Sequence, residues 1–173
     1  MEPRHYEAQA HIAAPSTKVF EFLDDHVRLV SHMSKSSWSM GGGRMVLDAD
    51  SGEGRAVGSK LRLSGRAFGI RLQVEEVITE RTPPQRKVWE TAGAPRLLVI
   101  GHYKLGFELL PAGDGTATRI FIEYDLPTGF VSRLLGVALS GMYAKWCVTR
   151  MIDDTRIHFA ASTPESANAA SRS

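Results

Sequence analysis

Hydrophobic positions change their spacing several times along the chain. Arg4 to Ala13 alternates weakly, as a strand does, and stops at Pro15, which bars helix at the residue before it but suits a helix's first turn. From Ser16, the stretch TKVFEFLDDHVRLVSHM sets Val19, Phe20, Leu23, Val27, Leu29, Val30 and Met33 three or four apart with charges between them. That spacing predicts two short helices, or one kinked helix. Residues 34 to 43, SKSSWSMGGG, suit neither helix nor a packed strand and read as a turn or a flap over whatever lies beneath.

Between Arg44 and Leu126 the period falls to two, and breakers arrive every ten to fifteen residues. Strands are expected at Arg44 to Leu47, Ser59 to Gly65, Ile70 to Glu80, Lys87 to Thr91, Leu97 to Leu110 and Ala117 to Leu126. Their short connections imply antiparallel neighbours. From Thr128 the helical period returns through Val131, Leu135, Ala138, Met142, Trp146 and Cys147, predicting one long helix that ends near Phe159. The order predicts a single α+β domain over residues 1–160, its curved antiparallel sheet wrapped around the last helix, with a disordered tail over 161–173. A sheet bent around one helix leaves space between them, and concave apolar space is where small molecules bind.

Composition narrows the reading. A chain of 173 residues can bury about 70% of its unfolded surface, enough for a core even if that core is hollow. Lys plus Arg exceed Asp plus Glu by only two, which disfavours a nucleic-acid partner. The single cysteine, Cys147, excludes an internal disulfide, and no apolar segment follows the first residues, so the cytoplasm is the expected location.

Three segments carry a resemblance. IAAPSTKVFEFLDD at 12–25, VITERTPPQRKVWE at 77–90 and MYAKWCVTRMIDDTR at 142–156 occur in an order similar to the helix-grip fold of the SRPBCC superfamily, which includes START lipid-binding domains, pollen-allergen-like proteins and polyketide cyclases or dehydrases. The resemblance spans about residues 4–160. It implies a curved antiparallel sheet around a long C-terminal helix, two short helices after strand 1, and an internal cavity for a hydrophobic small molecule such as a lipid, polyketide or aromatic metabolite. It implies no catalytic set, because binders, cyclases and chaperone regulators share this cavity without sharing residues.

Alternation points Leu97, Val99, Tyr103, Leu105, Phe107 and Leu109 inward, and Ile120, Ile122 and Tyr124 likewise in the last strand. Tyr103 and Tyr124 are then either amphipathic cavity walls or core tyrosines bonded to backbone. Glu76 shares a phase with Ile70, Leu72, Val74 and Ile78, which sets a carboxyl among inward apolar residues as a weak candidate acid or base. The ordinary alternative is a bulge between Glu75 and Glu76, turning Val77 inward and Glu76 to water. Trp89 lines the pocket or caps its rim. On the long helix Met142 and Trp146 are four apart and share a face, expected to be the face on the sheet, with Leu135 on the same helix. The expected ligand-binding set is Glu76, Trp89, Tyr103, Phe107, Tyr124, Leu135, Met142 and Trp146.

No cofactor and no metal are expected. His5, His11, His26, His32, His102 and His158 show no ligand spacing, GGGR at 41–44 lacks the rest of a phosphate loop, and no GxSxG elbow occurs. Lys60, Arg62, Arg66 and Arg71 read as a solvated outer face. The segment at 130–143, FVSRLLGVALSGMY, is too short to span a bilayer but could meet a membrane surface or a second subunit, so a monomer or homodimer without stable membrane insertion is expected. Binding of a hydrophobic guest ranks first, a cyclase or dehydrase-like enzyme using cavity acid and base groups second, and a protein-interaction module third.

Overall fold

The computed structural model describes residues 3–26, 28–29, 45–50, 52–67 and 70–161. The expected flap at 34–43, His32 and nearly all of the expected tail lie outside the described residues. Strand β1 (Arg4–Ile12) leads through Pro15, in extended backbone, into helix α1 (Ser16–Asp24). Helix resumes at residue 26. Six further strands follow: β2 (Met45–Ala49), β3 (Lys60–Ala67), β4 (Ile70–Thr82), β5 (Arg86–Arg96), β6 (Tyr103–Ala112) and β7 (Gly115–Tyr124). The chain closes with the 32-residue helix α2 (Phe130–Ala161).

All seven strands form one antiparallel sheet in the order β1-β7-β6-β5-β4-β3-β2. Six follow one another as a meander, and β1 returns to pair with β7, from Arg4 opposite Tyr124 to Ile12 opposite Thr116. The sheet is curved and α2 lies along it, the helix-grip arrangement. Phe20 of α1 meets Phe107 of β6 edge to face at 5.5 Å, so α1 covers the sheet where β6 and β7 provide Phe107, Leu109 and Ile120, all fully buried.

The expected strand from Leu97 to Leu110 is shorter than predicted. Residues 97–102 lie outside the strands, and β6 starts at Tyr103. There the chain turns back against the end of β7: Gly101 N–H donates to Asp125 O at 2.8 Å and Asp125 N–H to His102 O at 2.8 Å. A Cβ at Gly101 would come within 2.9 Å of Leu126 O. Period-two spacing continues through such a crossing and does not reveal it.

The first half of the long helix packs inward through small residues. Gly136, Ser140 and Ala144 are buried, and a Cβ on Gly136 would stand 2.7 Å from Pro127 Cδ. Further along, Cys147, Val148, Met151, Ile152 and Thr155 continue the buried stripe. Leu134, Leu135, Val137 and Met142 are exposed. No helix among the described residues is long and apolar enough to cross a membrane.

Candidate functional site

Between the sheet and α2 lies a cavity of about 90 Å³. Its wall is mostly apolar, with Leu63, Val74, Leu105, Ile122 and Met151 among the lining residues, and it carries the polar side chains of Glu76, Tyr103, Tyr143 and His26.

Glu76 reaches this wall because β4 stays regular around it. Glu75, Glu76, Val77 and Ile78 pair in step with Ala92, Thr91, Glu90 and Trp89, and the register shifts fall on either side, between Gln73 and Glu75 and between Ile78 and Glu80. The expected alternative, a bulge between Glu75 and Glu76, is therefore corrected. Val74, Glu76 and Ile78 are buried on one face, while Glu75 pairs outside with Lys60 and Arg62. The Tyr103 hydroxyl donates to Glu76 Oε1. Burial pushes the Glu76 carboxyl up to about 7, against hydrogen bonds from Tyr103 and Trp89 and the positive charge of Lys87, which favour the ionised form. Burial, together with the neighbouring Glu76, also drives the Tyr103 hydroxyl well above its ordinary value, so it remains a donor.

Across the cavity α2 contributes Tyr143 and Cys147. Burial pushes the Cys147 thiol up to about 12, and the adjacent Cys147, together with burial, raises Tyr143. A thiol so far from ionisation is a poor nucleophile.

Behind the wall sits a buried ionic cluster. Lys87 is fully buried; its Nζ donates to Asp24 Oδ1 at 2.6 Å and to the Asp24 carbonyl oxygen at 3.0 Å, and lies 3.0 Å from His26 Nδ1. Arg81 completes the cluster, its Nε 3.2 Å from Asp24 Oδ1 and a terminal nitrogen 2.8 Å from Oδ2. Burial alone would raise the Asp24 carboxyl, but hydrogen bonds from Arg81 and Lys87 outweigh it and hold Asp24 below its usual value. Burial, then the Lys87 charge, drives His26 down to about 3, so its ring is neutral at physiological pH. Sequence reasoning missed Lys87 and Asp24. The available signal was that Lys87 and Trp89, two apart on β5, share a phase.

The structure places three expected residues, Glu76, Trp89 and Tyr103, in the cavity wall. The other five lie elsewhere. Phe107 packs beneath Phe20 of α1. Tyr124 stands opposite Tyr103 in the β6–β7 register but is part of the packed core, its hydroxyl directed toward Gly141 of α2. Trp146 lies beside Tyr143 at 6.0 Å and lines a separate recess with Phe22 and Arg28. Leu135 and Met142 are 41% and 67% exposed and face outward, because the first half of the helix turns Gly136, Ser140 and Ala144 inward instead. Among the described residues no group of three or more His, Cys, Asp or Glu side chains could hold a metal ion.

Fold and cavity together define a helix-grip protein with an internal cavity between sheet and helix. The chain belongs to the family described as polyketide cyclase / dehydrase and lipid transport, which matches residues 3–155, and so to the SRPBCC superfamily. Among solved structures it is similar to TTHA0849 from Thermus thermophilus, with a TM-score of 0.65 at 16% identity, covering 93% of this chain and 100% of that one. It is also similar to norcoclaurine synthase from Thalictrum flavum in complex with dopamine and hydroxybenzaldehyde, with a TM-score of 0.63 at 14% identity, covering 94% and 90% of the two chains. A third likeness is to Ara h 8.0201, with a TM-score of 0.54 at 10% identity and coverage of 88% and 97%. At these identities the likeness is one of fold. No curated protein sequence matches the chain.

Proposed function

We propose that the chain binds a hydrophobic small molecule, of the lipid, polyketide or aromatic class, in the cavity between sheet and α2. The observation that carries this reading is a largely apolar space between sheet and helix holding one buried carboxyl bonded to a tyrosine hydroxyl. The family description, which names both cyclases and lipid transport, supports it, as does the ligand complex of norcoclaurine synthase on the same fold. At about 90 Å³ the cavity is smaller than the roughly 150 Å³ apolar cavity that admits benzene, so a guest of that size enters only as lining side chains give way. Met151, an unbranched lining residue, suits such yielding. Native mass spectrometry of the purified protein, with organic extraction of what it carries, tests the reading. The expected result is a co-purifying apolar molecule, lost in Leu105→Trp, which fills the space; a folded protein that captures nothing from a lipid and polyketide mixture overturns it.

A second reading has a specific observation behind it. A carboxyl near 7, held by a protonated tyrosine, suits general acid and base work in a cyclisation or dehydration: Glu76 takes a proton from carbon as carboxylate and returns one to oxygen as acid. In that case Glu76→Gln retains binding and loses turnover, whereas unchanged turnover removes Glu76 from the chemistry.

A further inference from the structure

The ionic cluster prepares one group in the cavity wall that no group among the described residues uses. His26 is 3% exposed and lines the cavity. An ammonium has three protons and no lone pair. Lys87 Nζ has three acceptors at hydrogen-bond distance, two on Asp24 and the third His26 Nδ1. A charged Lys87 assigns Nδ1 as the acceptor of its third proton, in competition with a hydrogen bond from the ring to the Asp24 carbonyl oxygen, and on that assignment the neutral ring carries its proton on Nε2. Gly54, at φ +72°, closes the Nδ1 edge of the ring: a Cβ there would lie 3.2 Å from Nδ1. Trp89 meets the ring edge to face at 4.7 Å. Among the described residues nothing accepts from Nε2, which is buried. A buried N–H without an acceptor is costly, and the Lys87–Asp24 pair holds it in that state.

The geometry points to His26 as the polar anchor of the guest: Nε2–H donates a hydrogen bond to the carbonyl oxygen of a ketone or aldehyde on an otherwise apolar molecule. This rests on the cavity reading above and adds the ligand's functional group. A carbonyl needs only donors. A hydroxyl would also have to find its acceptor in Glu76, which a carbonyl does not require, and a carboxylate would enter beside Glu76 with its charge unmatched.

The test uses two probes of nearly identical shape, acetophenone and α-methylstyrene, titrated into the full chain by NMR. His26→Asn keeps an acceptor for Lys87 but removes the donor, and His26→Gln sets an amide N–H near the Nε2 position. The ketone-to-alkene affinity ratio is expected to fall about five- to tenfold in H26N and to stay within about twofold of wild type in H26Q, the scale of one net hydrogen bond. An unchanged ratio in H26N overturns the His26 contact while leaving cavity binding intact. If wild type binds neither probe, this inference fails, while the cavity reading stands or falls with the capture experiment above. A measurement needing no variant runs alongside: long-range ¹H–¹⁵N spectra of the wild type should show the His26 proton on Nε2. A proton on Nδ1 overturns the inference even if H26N and H26Q do not fold.

Discussion

Two buried acids, Asp24 and Glu76, resolve the same problem in opposite ways. Asp24 is contacted by two cations, Lys87 and Arg81, and stays ionised below its ordinary value. Glu76 is contacted by a tyrosine hydroxyl and an indole, with no cation among the described residues touching it, and is pushed up to about 7. Burial is common to both, so the neighbours decide the protonation state. The difference divides the labour of the interior: the Asp24 cluster ties α1 to β4 and β5, while the Glu76 end keeps a proton close to a cavity.

The largest expected effect breaks the paired end. Lys87→Met leaves Asp24 with Arg81 alone and His26 without its donor, and is expected to cost about 3–5 kcal/mol in chemical denaturation, the scale of removing one partner from a buried ion pair. A loss below about 1 kcal/mol would mean the cluster is not buried as described.

The next effect concerns pH and has opposite signs at the two ends. Glu76 binds its proton more tightly folded than unfolded, so its contribution favours the native state below about 4.5 and is lost as pH rises to about 7. Asp24 contributes above its unfolded value of 3.8 and loses that contribution as pH falls through its lowered folded value. Glu76→Gln is therefore expected to stabilise the protein at pH 8, by on the order of 3 kcal/mol at most, and to flatten the stability profile between pH 5 and 7. Urea midpoints across that range check it, and a parallel wild-type and E76Q profile contradicts it.

A smaller effect sharpens the Glu76 end. Tyr103→Phe removes a hydrogen bond that favours the carboxylate, so the Glu76 carboxyl is expected to titrate above about 7 by ¹³C NMR. Titration near the ordinary carboxyl value in wild type would dissolve the contrast with Asp24. Smallest of all, Met142→Ala on the outer face of α2 is expected to change unfolding free energy by less than about 0.5 kcal/mol.

Much of the strand order was legible because one face of each strand is buried, and burial writes itself as alternation. Glu76 could be singled out for the same reason: a carboxyl on the phase of Val74 and Ile78 stands out. The helix face was not legible. Apolar residues surround α2 so evenly that Met142 and Trp146 fit the helical period as well as Ala144, Cys147 and Val148 do. The face was chosen by how near the backbone comes to the segments beneath it, Val99 and Leu126–Pro127 at Gly136, which favours Gly136, Ser140 and Ala144, and spacing holds no record of that distance.

Local periodicity, set by residues a few positions apart, determined the antiparallel strand run and the long closing helix, but it left Glu76 open between a regular strand and a bulge until the pairing of β4 with β5 decided it. Everything that requires distant positions to meet was decided by the tertiary structure: Lys87 reaching Asp24 and His26 across more than sixty residues, and Tyr103 meeting Glu76 across 27. The physical reason is that a buried charge or proton is fixed by its partners within a few ångströms. Those partners come from other elements of the fold, beyond the reach of any short-range pattern.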